Sequence, residues 1–437
     1  MMEPNTRAEK RYALLTSTRA ELTDHYTEVI ALGWRRRAAR LADPTLEFAD
    51  LLESDGRLEA ALRALLLLGR RASEYMRALV TEPMPSGDIF ALTWYAAAAG
   101  EHSLLEACRD LAVALPDLQP AFAEACIWAP ASPSLRTCID GLPLAMRLQV
   151  MAGRHGEFGG MAANTVEELR TKAGAADSIR ALCGLIRSSG RGDLLSLVLG
   201  HLDDESEEVV LCVARTVLTV APSMSREHVL QRLGQLINSQ VPAIRVGAVQ
   251  TIVLHQPQWA PEVLRWLARK GDAARLYLSA LGWAGQVDAV PVLMEQLGTE
   301  CHGRVAGASL ALIVGSDPAR DGWLGIRPAP GNAATEGVLD VADDSIPETD
   351  PDANLPWPDR VAFEAWWNAR QGQFSNGIRY LAGRPVERDW LSVILMSGPL
   401  AWRPLAAEHR QCLAGGALFP VGLRADVQRS RFAELAS

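Results

Sequence analysis

One short apolar pattern recurs along most of this chain, and it constrains the fold more than any other feature. Segments 62–69, 143–153, 243–250 and 303–312 each read as a brief apolar helix with an arginine near its start (Arg63, Arg147, Arg245 and Arg304) and small residues on one face. Anchors at Arg63, Leu92, Phe122, Arg147, Leu182, Leu211, Val246, Leu276 and Val305 follow one another roughly every 25 to 35 residues, the period of paired-helix repeats. In such an array each unit packs only against its neighbours, and the stack presents a long surface for holding another macromolecule. The expected fold class is all-α, a helical-repeat solenoid.

That architecture fits the size of the chain. Its 437 residues exceed what a single compact core usually accommodates, whereas a solenoid grows without enlarging any one core. Apolar residues make up 49 % and charged residues 22 %, a globular rather than a disordered composition. The formal net charge is −9, and the only lysines are Lys10, Lys172 and Lys270. Net acidity argues against nonspecific nucleic-acid binding and suits a partner with a basic surface. The seven cysteines are scattered, mostly within apolar helical runs, with no C-x-x-C pair. They are expected to be free, buried thiols in a reducing compartment. The first residues show no apolar signal core. Apolar stretches such as 89–99 are too short to span a bilayer, so the expectation is a soluble, cytoplasmic protein with no membrane partner.

Four regions follow from the breakers. Residues 1–50 read as an N-terminal helical region ending in Trp34-Arg35-Arg36-Arg37, a basic cluster suited to a helix C-terminus; the competing reading is an anion site. Residues 51–315 hold the repeats. The clearest helices are expected at 194–202, 209–220, 229–238, 244–254, 263–268, 274–284, 290–297 and 305–314, joined by polar turns. Residues 316–358 form a long acidic loop rich in Pro and Gly, with eight acids against two arginines over 318–358. A loop of that length is either solvated or functional, and Trp323-Leu324-Gly325-Ile326 and Leu355-Pro356-Trp357 favour at least partial docking. Residues 359–437 resume as a helical C-terminal cap, with helices expected at 360–369, 389–396, 404–414 and 425–435.

Signatures of catalysis are missing from the sequence. There is no H-E-x-x-H, Walker A loop or G-x-S-x-G. Cys301 and His302 are adjacent but have no further ligand at metal-site spacing. The glycine-rich 153–160 stretch lacks the strand that precedes a dinucleotide site, and reads as an inter-repeat turn. No His–acid–nucleophile set stands out along the chain, though tertiary contacts can assemble one. The expectation is a non-enzyme with neither metal nor cofactor.

Three blocks carry a resemblance: Leu51-Leu52-Glu53-Ser54-Asp55-Gly56-Arg57-Leu58-Glu59-Ala60 leading into 62–69, the arginine-centred repeats, and Trp366-Trp367 followed by Gly377-Ile378-Arg379-Tyr380-Leu381-Ala382-Gly383-Arg384-Pro385. Together they resemble an uncharacterised family of HEAT-like repeat proteins of proteobacteria associated with type VI secretion gene clusters. The likeness covers nearly the whole chain, except that the 88–140 repeats lack the arginine. It implies a role in toxin handling: an immunity protein that binds and neutralises a cognate secreted toxin, or an adaptor that holds cargo for the secretion spike. If the toxin is a nuclease, its substrate cleft is basic, and acidic groups here would meet it. The candidate partner-binding residues are then Asp203, Asp204, Glu205, Glu207 and Glu208 in one turn, and Trp323, Asp340, Asp343, Asp344, Asp350, Asp352 and Trp357 in the acidic loop.

Overall fold

A computed structural model describes residues 18–80, 84–154, 168, 175–326, 350 and 352–435. Over these the chain is mostly helical, with 21 α-helices and one two-stranded hairpin. Its contacts divide it into two compact units. The first holds described residues of 18–42, 46–229 and 415–435; the second holds 43–45 and described residues of 230–414. Among the described residues no helix is long and apolar enough to cross a membrane.

In the first unit the helices are α1 (Thr18–Leu41), α2 (Phe48–Leu68), α3 (Arg70–Leu79), α4 (Ser86–Ala99), α5 (His102–Ala114), α6 (Gln119–Trp128), α7 (Pro133–Asp140), α8 (Leu144–Gly153), α9 (Ala176–Ser189) and α10 (Glu207–Val220), with two short helices, Ala425–Ser430 and Phe432–Leu435, from the end of the chain. α1 packs on α2 and α4, and a row continues from α4 to α6, α8, α9 and α10. The sequence of α4 explains its central place. It is apolar on every side, and a helix of that kind is stable only when enclosed; Ile89, Phe90, Leu92 and Trp94 are all fully buried. Phe90 and Trp94 meet Trp128 of α6 edge-on, with ring centroids 5.4 and 5.3 Å apart, the arrangement aromatic quadrupoles favour.

The second unit takes up the chain within α11 (Arg226–Leu236) and continues through α12 (Pro242–His255), α13 (Ala260–Ala268), α14 (Ala274–Ala284), α15 (Val290–Gln296), α16 (Gly303–Val314) and α17 (Arg360–Asn368). After strands β1 (Tyr380–Leu381) and β2 (Arg384–Pro385) come α18 (Arg388–Ser397) and α19 (Arg403–Ala414). α12 packs on α14 and α14 on α16, while α13 pairs with α14 and α15 with α16. Small residues set the close approach. A Cβ added at Gly282 of α14 would lie 2.9 Å from the Cβ of Ser309 on α16.

The hairpin closes this stack at one end. The C-terminal carbonyls of a helix have no intrahelical partner, and residues 379–383 supply donors to three helices. Arg379 Nη2 donates to Val253 O at the end of α12 (2.8 Å) and to Trp283 O at the end of α14 (2.9 Å). Tyr380 N donates to Gly285 O (2.8 Å), and Ala382 N and Gly383 N donate to Leu312 O and Ile313 O of α16. Gly285 and Gly315, just past α14 and α16, have φ of +66° and +69°, the left-handed conformation that ends many helices. A Cβ at either would sit 2.2 or 2.3 Å from a hairpin carbonyl. The 377–385 block singled out in the sequence is thus a shared helix cap.

Three details differ from the sequence-based expectation. The hairpin is a β-element in a chain read as all-α; its turn residues Ala382 and Gly383 both have positive φ, as two-residue type I′ turns require. The stretch expected as one helix at 194–202 is two 3₁₀ segments, Gly192–Leu197 and Leu199–Asp203. They bury Leu194, Leu195 and Leu202, so the apolar spacing is met without an α-helix. Of the seven cysteines, Cys301 and Cys412 are exposed and Cys212 is part-exposed.

Candidate functional site

The recurring arginine has a consistent structural use. Arg63 pairs with Glu59 one turn earlier on its own helix, whereas Arg147, Arg245 and Arg304 reach acids later in the chain, as do Arg180 and Arg275 at other helix starts. Arg180 of α9 pairs with Glu208 of α10 and with Asp177 on its own helix. Arg245 of α12 lies 3.7 Å from Asp272, in the turn before α14. Arg275 of α14 binds Asp352 through Nε at 3.1 Å and through Nη2. Arg304 of α16 binds the Asp350 carboxylate and the Asp352 carbonyl oxygen, the latter at 2.7 Å, and its guanidinium lies 4.7 Å from the Trp357 ring centre. Asp350 and Asp352 therefore serve Arg304 of α16 and Arg275 of α14.

This placement sorts the candidate residues. In the first unit, Asp203, Glu205, Glu207 and Glu208 are exposed and Asp204 is part-buried. Asp204 organises the turn: its Oδ1 accepts from Ser206 N at 2.9 Å and its Oδ2 lies 3.1 Å from His201 Nδ1. These bonds, the backbone one foremost, hold its carboxyl below the usual range. Asp203 lies 3.0 Å from His228 Nε2. Glu207 and Glu208 occupy the first turn of α10, where the helix dipole favours negative charge. The turn is built for its own helix and still presents an acidic surface.

In the second unit the acidic loop's described ends are docked. Gly325 N donates to Trp357 O and Asp359 N donates to Trp323 O, both at 2.7 Å. Trp323 was expected on a binding surface, but its indole is fully buried and donates to Ser316 Oγ at 2.6 Å. Asp352 is 5 % exposed. Both belong to the interior of the unit: Trp323 packs edge-on against Phe363 with ring centroids 5.0 Å apart, and the Asp352 carboxylate is held there by Arg275. Trp357 is part-buried beneath Arg304. Asp340, Asp343 and Asp344 lie outside the described residues.

The Trp34–Arg37 cluster falls inside α1, not at its end. Arg37 is 3 % exposed. It forks onto Asp55 of α2 at 2.9 and 3.2 Å, and its Nη atoms donate to Gly422 O and Leu423 O, both at 2.7 Å. Asp55 also accepts from Ala425 N at 2.8 Å. A buried ion pair is tolerated when its remaining donors and acceptors are met, and here they tie residues 422–425 to α1 and α2 within the first unit. Beside this pair lies a cleft of about 580 Å³ lined by Trp34, Arg35, Arg37, Glu124, Trp128 and Gln149 among others. Glu124 accepts from Trp34 Nε1 at 2.8 Å, and burial raises its carboxyl above the ordinary range despite Arg37 nearby.

The sequence offered no partner for Asp55, Arg275 or Arg379, and it did not group His255, Glu408 and Cys412. Each depends on partners tens to hundreds of residues away. The recurring arginine was the one available signal, and it named the donors without their acceptors. Among the described residues no group of three or more His, Cys, Asp and Glu side chains is placed to hold a metal ion. No family model, curated protein or solved structure matches the chain.

Proposed function

We propose that this chain is a non-catalytic, protein-binding HEAT-like solenoid, and that it is the immunity protein that binds and neutralises a cognate type VI secretion toxin in the producing cell. The observation that carries the reading is the stack of α12, α14 and α16, clamped at one end by arginine–acid pairs and at the other by the shared cap. A surface fixed in this way loses little conformational entropy when a partner docks, which favours tight binding. The exposed acidic turn at 203–208 supports a partner with a basic surface, such as a nuclease, by speeding encounter and penalising acidic competitors. The reading involves no direct nucleic-acid or membrane contact and no cofactor.

The test is co-expression with a candidate type VI secretion toxin. Survival of cells that the toxin alone kills, together with recovery of a complex, is the expected result. Recovery of a complex without survival would replace immunity with the adaptor reading. Neither survival nor a complex would remove the link to that toxin.

A further inference from the structure

A thiol, an imidazole and a carboxylate from two helices of the second unit converge where the sequence separates them by more than 150 residues. Cys412, on the last turn of α19, is exposed. Its Sγ lies 2.7 Å from Nδ1 of His255, the last residue of α12. The other ring nitrogen, Nε2, lies 3.2 Å from Oε2 of Glu408, one helical turn before Cys412 on α19. The His255 and Glu408 side chains are 1 % and 7 % exposed. Glu408 meets Nε2 as a close charge contact and not as an aligned hydrogen bond, and a negative charge on that side still favours a proton on Nε2, leaving the Nδ1 lone pair toward the thiol. This is the order of roles in activated nucleophiles: an attacking atom, a base within hydrogen-bond reach, and a third group orienting the base.

The other groups nearby agree with that polarity. Arg379, held on the carbonyls at the ends of α12 and α14, is close enough to Cys412 for their charges to interact. His409 is enclosed, and burial first and the Arg379 charge second hold it neutral. α18, also packed on α19, turns the apolar Leu391, Ile394 and Leu395 inward. His255 and Arg379 thus act on the thiol directly, with Glu408 behind His255. A cation beside a thiol favours its thiolate.

We propose that Cys412 is a nucleophilic thiol and a site of covalent modification by hydroperoxides, with His255 as its proton acceptor and Glu408 as the positioning residue behind it. In the reaction His255 Nδ1 takes the thiol proton. The thiolate sulfur attacks one peroxide oxygen, the S–O bond forms as the O–O bond breaks, and sulfur is oxidised by two electrons to a sulfenic acid. The departing oxygen, reduced in the same step, takes the proton back from His255 and leaves as water or an alcohol. This inference is independent of the toxin-binding reading.

The full chain carries its own control, because Cys301 is also exposed. Site-resolved mass spectrometry after timed iodoacetamide exposure at pH 6.5 is expected to show Cys412 alkylated at least about tenfold faster than Cys301. Hydrogen peroxide with a dimedone trap is expected to label Cys412 first. His255→Gln should bring Cys412 to the Cys301 rate, and Glu408→Gln should move the midpoint of its alkylation pH profile upward. Equal rates for the two cysteines in the unaltered chain would overturn the proposal, with no variant needed. An unchanged Cys412 rate in folded His255→Gln would also overturn it, and an unchanged profile in Glu408→Gln would remove Glu408 from its role.

Discussion

At the scale of single residues, burial decides which thiols and imidazoles can carry a charge. Burial pushes Cys108 and Cys183 up to about 12 and Cys138 to about 11, and lifts Cys126 well above its ordinary value. At pH 8 these four should resist alkylation in the folded chain and react after denaturation, since the thiolate is the reactive form. Labelling of any of them at the Cys301 rate would reveal local opening instead. His409 gives a pH signature of definite sign. Its folded value lies well below the ordinary 6.5, so below pH 6.5 the unfolded chain binds a proton that the folded chain refuses. Stability should therefore fall as pH drops through that range. His409→Gln should flatten this part of the stability curve in urea titrations between pH 6.5 and 5; parallel curves would show that His409 does not contribute.

Elements were legible in proportion to how local their causes are. The helix expected at 274–284 is observed with those bounds, and 305–314 within two residues of Gly303–Val314, because apolar spacing and terminal glycines are written locally. The hairpin was not legible, because Ala382-Gly383 lacks the usual turn pair and its pairing is stabilised by three helix ends far away in sequence. The cap predicts a contrast between glycines. Gly285→Ala and Gly315→Ala should each cost about 1–3 kcal/mol, since a Cβ would meet a carbonyl at positive φ. Gly184→Ala, exposed within α9 with nothing within 4 Å, should instead stabilise by about 0.5–1 kcal/mol. Thermal melts of the three variants check this, and equal effects would contradict it. The arginine clamp makes a similar claim. Arg275 is half-exposed but Asp352 is buried, so Arg275→Ala strands a carboxylate. A double-mutant cycle with Asp352→Ala should return a coupling of about 1–2 kcal/mol, and additive losses would argue against the clamp.

On the scale of the whole molecule, the repeated arginine leads to the expectation of an array; the chain is mostly helical over the described residues, and within the second unit α12 packs on α14 and α14 on α16. The acidic residues were harder to place. Their composition suggested a binding surface, yet Asp350 and Asp352 are taken up by Arg304 and Arg275, which lie 46 and 77 residues earlier. A count of charges along a sequence does not say which are already paired. The exposed turn at 203–208 keeps the electrostatic expectation alive. Neutralising Asp203, Glu205 and Glu207 to amides should lower the association rate with a basic toxin and shallow its salt dependence, and an unchanged rate would exclude that turn from the interface.

Neutralisation by holding has a fixed stoichiometry, which titration of purified toxin activity against the purified chain reads out. A linear fall to zero activity at one equivalent of chain is expected, with toxin recovered intact on dissociation. Full inactivation by a small fraction of an equivalent would show turnover and contradict it, as would activity undiminished at excess chain.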